Sequence, residues 1–313
     1  MADDDIDRTA SLMTPAKLAQ VKPQAAASPA AWLNQMAADA AHQHVARLAE
    51  LRKDLKAQGK GRDYSPITSE LARLARALPK LDFSLLQGHG LWSRVTGKSR
   101  TAAVEFAGQF TKLQGAADDV LSHVKALQKG QQDNAGATDL SLLEVEVEFK
   151  AIEKVQDQGA RWLQDMRNQL KERHAEEHDA AAEKQILDDE ARCEILVARL
   201  KLLREVSAAA QSAHQQAKTA AVRRASLGQS LEQGLGAKLG DWRTKVQALV
   251  SATTEGSGAA NLDAAMESHR ELQLALKDAS ADCAQLRVQE NALAESLHTL
   301  KQQLEAARLQ SAA

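Results

Sequence analysis

Two histidines four residues apart have the types and spacing that could do chemistry. The segment His174-Ala175-Glu176-Glu177-His178 matches H-x-x-E-H, an inverted zinc-protease pattern in which both imidazoles share one face of a helix. A metalloprotease also needs a third ligand and a sheet edge that holds the peptide. Because this segment is very polar and the chain lacks strand signals, the favoured interpretation is a solvated helix face. The alternatives are adventitious binding of a metal ion at the surface and a metal hydrolase.

The tripeptide Gly97-Lys98-Ser99 has the form of the end of a phosphate-binding loop. In that loop, backbone amides cradle the phosphates and the lysine reaches them. The pattern requires a glycine five residues before Gly97, but Trp92 occupies that position and no strand is predicted ahead of it. The sequence therefore predicts no nucleotide site and no cofactor.

The two cysteines, Cys193 and Cys283, are too few for a disulfide framework. Both are expected to behave as small buried apolar residues. One alternative is a thiol reductase that uses both thiols, and another is a crosslink between the Cys283 residues of two parallel chains. The favoured reading of the sequence has no catalytic residue, no metal ligand and no identified small-molecule substrate.

The charge balance argues against nucleic acid as a partner. The 313 residues contain 40 basic and 42 acidic side chains, a net charge of −2, so no overall positive field opposes phosphates. The longest uncharged stretch is too short and too polar to span a membrane. The start MADDDIDRTA lacks the basic and apolar regions of an export signal, which predicts a cytoplasmic protein.

Proline is confined to the beginning of the chain. All five prolines lie within residues 1–79, and residues 80–313 are rich in alanine, leucine, glutamine, glutamate and lysine. Sandwiches and barrels need turn formers and β-branched strands, so this composition excludes them. It predicts an all-α fold: an elongated bundle of long helical hairpins with a C-terminal coiled-coil helix.

The pattern of apolar residues divides the chain into five segments. They are a disordered arm (1–30), short helices (31–79), a helical body (80–250), a flexible connector (251–261) and a coiled-coil helix (262–310). Inside the body, we predict an aromatic and basic elbow at 80–100, a turn at 130–137, and a charged arm or hairpin tip at 171–194. A short helix with a buried Trp242 is expected at 241–250.

The final segment carries the most regular pattern in the chain. From Leu262 to Leu304, apolar positions alternate steps of three and four residues over six heptads, which predicts a coiled coil. His269 and Glu290 are polar members of this seam and can set its register. We expect the seam either to pack back on residues 101–222 or to pair between chains. The predicted interaction residues are Leu272, Leu276, Cys283, Leu286, Leu293, Leu297, Leu300 and Leu304.

The elbow combines aromatic rings with cations, and two interpretations stay open. The favoured one is that the rings, Phe83, Trp92, Phe106 and Phe110 among them, attach a bent connection to the bundle. The other is contact with an anionic membrane surface or a partner, with rings in the interface and cations at headgroups. The contact residues would then be Trp92, Arg94, Lys98 and Arg100.

The order of these features resembles the TelA/KlaA toxic-anion-resistance family over residues 75–305. The likeness is carried by LPKLDFSLLQGHGLWSRV, by Leu127-x-x-Gly130 followed by Asp133-Asn134, and by LEQGLGAKLGDWRTKVQALV, in which Trp242 and Arg243 stand at the aromatic and basic positions. The chain departs from the family pattern at Gly240-Asp241, where a proline is usual before the tryptophan.

This resemblance implies a non-enzymatic, all-helical bacterial protein involved in tolerance of tellurite or related anions. In this interpretation the long helices and the coiled coil act as a scaffold through protein–protein contacts. The alternative is a coiled-coil component of another bacterial complex, in defence, secretion or the envelope.

Overall fold

The computed structural model describes residues 40–60, 64–87, 98–176, 179–255 and 261–309. All regular elements in these residues are helical, which confirms the all-α fold class. The α-helices are α1 (His42–Lys60), α2 (Ser65–Ala77), α3 (Lys98–His174), α4 (Ala180–Gln229), α5 (Ala237–Glu255) and α6 (Leu262–Leu309). Two short 3-10 helices (Leu78–Lys80 and Phe83–Leu86) follow α2, and a π-helix (Ser230–Gly236) joins α4 to α5.

The predicted turn at 130–137 is wrong, because α3 runs through it without interruption for 77 residues. Each glycine in a helix costs about 1 kcal/mol relative to alanine, but local and tertiary contacts oppose this cost. The Asn134 amide donates to the Gly130 carbonyl one turn earlier at 2.7 Å instead of forming a turn. Just after the segment, the buried Thr138 hydroxyl donates to Gln58 Oε1 on α1 at 3.0 Å.

The other sequence predictions of helix ends differ from the structure by a few residues. One of the short helices predicted within 31–79 is α2, and the helix predicted at 241–250 is the central part of α5. The chain reverses between α3 and α4, inside the predicted charged segment 171–194. Residues 251–255 of the predicted connector are helical. The predicted arm (1–30) and the central part of the elbow (88–97) lie outside the described residues.

The chain forms two compact units, and α3, α4 and α6 contribute residues to both. Unit 1 comprises Met1–Gly59, Ala137–Lys218 and Ala292–Ala313, and unit 2 comprises Lys60–Gly136 and Thr219–Asn291.

Unit 2 has a continuous core of leucines and aromatic rings. The rings of Phe83 and Phe106 lie 5.3 Å apart, and those of Phe110 and Trp242 lie 5.4 Å apart. Trp242 is fully buried, as the sequence predicts. Leucines from the helices around these rings complete the core: Leu71, Leu74, Leu113, Leu227, Leu231, Leu235, Leu239, Leu272, Leu276 and Leu286.

The π-helix explains an unusual leucine spacing in this core. Leu227, Leu231, Leu235 and Leu239 are all buried although each is four residues from the next. In an α-helix of 3.6 residues per turn, four steps overshoot a full turn and the stripe drifts around the helix. The wider turn of a π-helix, with i→i+5 hydrogen bonds, opposes this drift and returns the leucines to one face.

Unit 1 contains a smaller apolar cluster where α3 and α4 meet near the chain reversal. It consists of Met166, Leu170, Ile186, Cys193 and Leu196, with Leu163 and Leu200 packed against it. The helices approach closely here: a Cβ added at Gly159 would lie only 2.7 Å from Leu200 Cδ2, so glycine is what allows the contact. Beside the cluster, the fully buried Asp189 accepts hydrogen bonds from Arg173 at 2.7 Å and Arg192 at 3.2 Å.

Candidate functional site

The first histidine of the H-x-x-E-H pattern, His174, lies at the end of α3. The α-helix that carries His174 ends at that residue, so the regular spacing needed to put both imidazoles on one face stops there. His174 is half-exposed, and its Nε2 lies 3.0 Å from Glu190 Oε1 on α4. Glu177 and His178 lie outside the described residues. No group of three metal-binding side chains occurs in the part of the chain that the structure describes.

Both cysteines are buried free thiols. Burial raises the pKa of Cys193, and burial together with the neighbouring Asp282 raises the pKa of Cys283 to about 11. A thiol with a raised pKa stays protonated at neutral pH and is a poor nucleophile. The surroundings of both cysteines therefore suit packing better than thiol chemistry.

The elbow can be followed only in part. Gly97, Trp92 and Arg94 lie outside the described residues, and for Lys98 and Arg100 only the helical backbone is described. Phe83, Phe106 and Phe110 are buried in the unit 2 core, as expected if rings attach the connection to the bundle.

The heptad seam of α6 is buried within the chain. All eight predicted interaction residues, Leu272, Leu276, Cys283, Leu286, Leu293, Leu297, Leu300 and Leu304, are at most 6% exposed. Residues 272–286 of this set belong to the unit 2 core, together with side chains from α2, α3 and α5. This is internal packing, the first of the two arrangements that the sequence left open.

Glu290, the charged member of the seam, has a partner that the sequence did not indicate. Arg224 on α4 is buried and donates to both Glu290 oxygens, at 2.5 and 2.9 Å. A two-pronged arginine–carboxylate pair is strong and directional. It therefore fixes the register of α6 against α4 within unit 2.

His269, the other polar seam residue, lies among aromatic rings. Its ring centroid is 5.2 Å from Phe83 and 6.4 Å from Trp242. The side-chain nitrogen of Gln273, Nε2, lies 3.1 Å from His269 Nε2. Burial, the larger cause, lowers the pKa of His269 to about 4, and the nearby Leu78 backbone opposes this shift. The imidazole is therefore neutral near pH 7 and acts as part of the core.

Nδ1 of His269 and Nε1 of Trp242 are buried without a hydrogen-bond partner among the described residues. Such groups cost free energy unless water or another group satisfies them. They make this cluster the most polar part of an otherwise apolar core.

Of the family-like residues, Trp242, Arg243 and Asn134 have structural roles in unit 2. Trp242 is at the centre of the core, and Arg243 forms an ion pair with Asp118 on α3. Asn134 binds its own helix, and Asp133 is exposed. They do not converge on a pocket.

Arg199 is a buried charge in unit 1 that the sequence analysis missed. Its guanidinium donates to the Ala307 carbonyl at 2.5 Å and to the Ala40 carbonyl at 3.1 Å. Ala307 lies in the last turn of α6, where carbonyls lack helical partners, so the arginine caps that helix end. Burial lowers the pKa of Arg199.

A surface pocket of about 310 Å³ lies between α4 and α6 in unit 1. Small side chains and hydroxyls line it: Ala209, Ser212, Gln216, Ala292, Glu295, Ser296 and Thr299. The lining lacks a buried charge or a paired acid and base, and so offers no catalytic arrangement.

The most distinctive surface of the described chain is an outward apolar face on α3 in unit 1. Leu140, Leu143 and Val147 are 61%, 62% and 58% exposed. Their spacing of three and four residues places them on one side of the helix. Leu142 and Val145, on the opposite side, are buried. A row of exposed large apolar side chains on a rigid helix is typical of a protein-contact surface.

No family model, no curated protein and no solved structure matches this chain. The likeness to the TelA/KlaA family therefore stands on the motifs named above. None of the described helices is long and apolar enough to cross a bilayer.

Proposed function

We propose that this chain is a non-enzymatic helical scaffold that acts through protein–protein contacts in the bacterial cytoplasm. The observation that carries the proposal is the exposed apolar face of Leu140, Leu143 and Val147 on α3. Since the α6 seam is already buried, outward faces of this kind are the surfaces offered to a partner. Coiled-coil pairing through α6 would first require release of its seam.

The scaffold proposal is tested by placing a photo-crosslinking amino acid at residue 143 in the source cells. A matched control carries the same group at Val104, which is 63% exposed on the same helix but in unit 2. We expect a discrete covalent partner from position 143, absent from position 104 and lost when Leu140→Glu is added. Identical products from both positions would contradict the proposal.

Toxic-anion resistance is the specific role that the family resemblance supports. We propose that the scaffold contributes to tolerance of tellurite. Deletion of the gene is expected to increase tellurite sensitivity, and expression of the intact chain in trans should restore growth. Unchanged sensitivity would remove the resistance role and leave the alternative, a component of a defence, secretion or envelope complex, which the captured partner would identify.

A further inference from the structure

A second outward apolar face lies on α4 in unit 1. Leu187 and Ile195 are 57% and 54% exposed. Ala191 and Ala198 are also exposed, and Leu202 is half-buried. These five residues follow steps of four, four, three and four, so they form one stripe along the helix. The other side of α4 is buried, with Ile186, Cys193, Leu196 and Leu203 in the interior.

The stripe is nearly symmetric about Ile195: an alanine and then a leucine follow at almost equal distances on either side. In an antiparallel pair related by a two-fold axis beside Ile195, the two Ile195 side chains meet at the axis. Leu187 of one copy then faces Leu202 of the other, and Ala191 faces Ala198. A two-fold interface requires such self-complementarity, because the same patch serves both copies. The alanines allow the helices to approach closely, since the side chains at a contact set the distance between the axes.

Charge supports the same arrangement. Lys184 lies 11 residues before Ile195 and Glu205 lies 10 residues after it, and both are exposed. In the antiparallel pair, Lys184 of each copy therefore faces Glu205 of the other at both ends of the apolar stripe. In a parallel pair, Lys184 would face Lys184 and Glu205 would face Glu205. Opposite charges favour the antiparallel pair and like charges oppose the parallel one.

We propose that this face of α4 is a self-association surface whose occupant is a second copy of the chain, paired antiparallel about Ile195. Five apolar side chains, two of them alanine, bury less than the roughly 800 Å² per partner of a standard interface. The dimer is therefore reversible and depends on concentration. It is separate from the proposed contact face on α3, so either proposal can fail while the other stands.

Sedimentation velocity of the intact chain over a concentration series tests the proposal. We expect a reversible monomer–dimer equilibrium in the wild type. Ile195→Glu sets two carboxylates against each other at the axis and should leave a monomer throughout the series. The matched control Leu274→Glu changes an equally exposed leucine, 57% exposed on α6, and should still dimerise. A wild type that stays monomeric, or a dimer that survives Ile195→Glu, overturns the proposal.

A charge exchange tests the orientation. Lys184→Glu should weaken the dimer about tenfold, and the double variant Lys184→Glu, Glu205→Lys should restore it. A double variant that is no tighter than the single one rejects the antiparallel register.

A cysteine crosslink tests the position of the axis without disturbing charge. Ile195→Cys should form a covalent dimer under mild oxidation, because the two thiols meet at the axis. Leu274→Cys should not. The native Cys193 and Cys283 are buried and leave the new thiol as the reporter. Equal crosslinking at both positions would indicate random collision and contradict the proposed axis.

Discussion

The two units bury and expose different kinds of side chain. Unit 2 packs aromatic rings and leucines into a continuous core. Its exposed large apolar residues are spread over three helices, and the three on α6 are at least eight residues apart: Val104, Val222, Met266, Leu274 and Val288. Unit 1 buries several polar groups, such as Asp189 and Arg199, and gathers its exposed apolar residues into two helical faces. Scattered apolar residues are normal on a surface, whereas rows are not. The difference supports placing the proposed contact surfaces on unit 1.

The strongest test of this contrast is removal of the central ring of unit 2. Trp242→Ala leaves a cavity among Phe110 and the surrounding leucines and should lower the free energy of unfolding by about 3–5 kcal/mol. Chemical denaturation measures the change. Leu274→Ala, at an exposed position of the same unit, should change stability by less than about 0.5 kcal/mol. Equal effects at both positions would show that the ring cluster is not the main source of stability.

The next largest effect is expected at the buried ion pair of unit 2. Glu290→Ala leaves the Arg224 guanidinium buried without its carboxylate and should cost about 3 kcal/mol. The double variant Arg224→Leu, Glu290→Leu should recover most of this loss, because an apolar pair carries no desolvation cost. Thermal or chemical unfolding of the three proteins tests the prediction. A double variant as unstable as the single one would mean that the pair contributes more than its charges.

Acidification should destabilise unit 2 through His269. Its pKa is about 4 in the folded protein and 6.5 in the unfolded chain, so the unfolded chain binds a proton first as the pH falls. The contribution of His269 to stability is complete well above pH 6.5, decreases as the pH falls toward 4, and about 3 kcal/mol of it is lost by pH 4. Chemical denaturation at several pH values measures this change. The free energy of unfolding should depend less on pH in His269→Leu. It should keep its pH dependence in His298→Gln, a variant of an exposed histidine on the same helix.

The smallest of these effects is expected in unit 1, at Arg199. Arg199→Ala removes the hydrogen bonds to the Ala40 and Ala307 carbonyls and should cost about 1–2 kcal/mol. Faster amide hydrogen exchange should accompany the loss, both near Ala40, just before α1, and near Ala307 at the end of α6. Arg204→Ala, at an exposed position of the same helix, is the control. Unchanged exchange at residues 300–309 in the Arg199 variant would contradict its role as a cap.

Short-range patterns in the sequence predict the helices and much of unit 2. They do not reveal contacts between residues that are distant in the chain. Heptad spacing is a property of a short window, so α6 and its buried leucines could be predicted, and burial of Trp242 followed from the leucines around it. The glycines at 130–137 predicted a turn because isolated propensity does not include Asn134 binding its own helix. Arg199 and Arg224 looked like ordinary surface charges, since their partners lie 108 and 66 residues further along the chain.

The candidate surfaces were harder to predict than the core. The spacing of Leu140, Leu143 and Val147 is visible in the sequence, but the same stretch also contains Leu142, Val145 and Phe149. Periodicity alone does not say which set faces inward. Burial of the second set leaves the first exposed, and that is information only the packed helices supply.

The π-helix between α4 and α5 also makes the chain sensitive to changes in length. Because a π-helix turns less per residue than an α-helix, residues 230–236 set the direction in which every side chain of α5 points. Inserting one residue there would rotate the rest of α5 by up to about 100° around its axis, whereas deleting one lets the segment relax to ordinary α geometry with little rotation. After the insertion, Trp242 would leave the core while a charged neighbour entered it. This stretch should therefore tolerate substitutions and a single deletion far better than an insertion, unlike a surface loop.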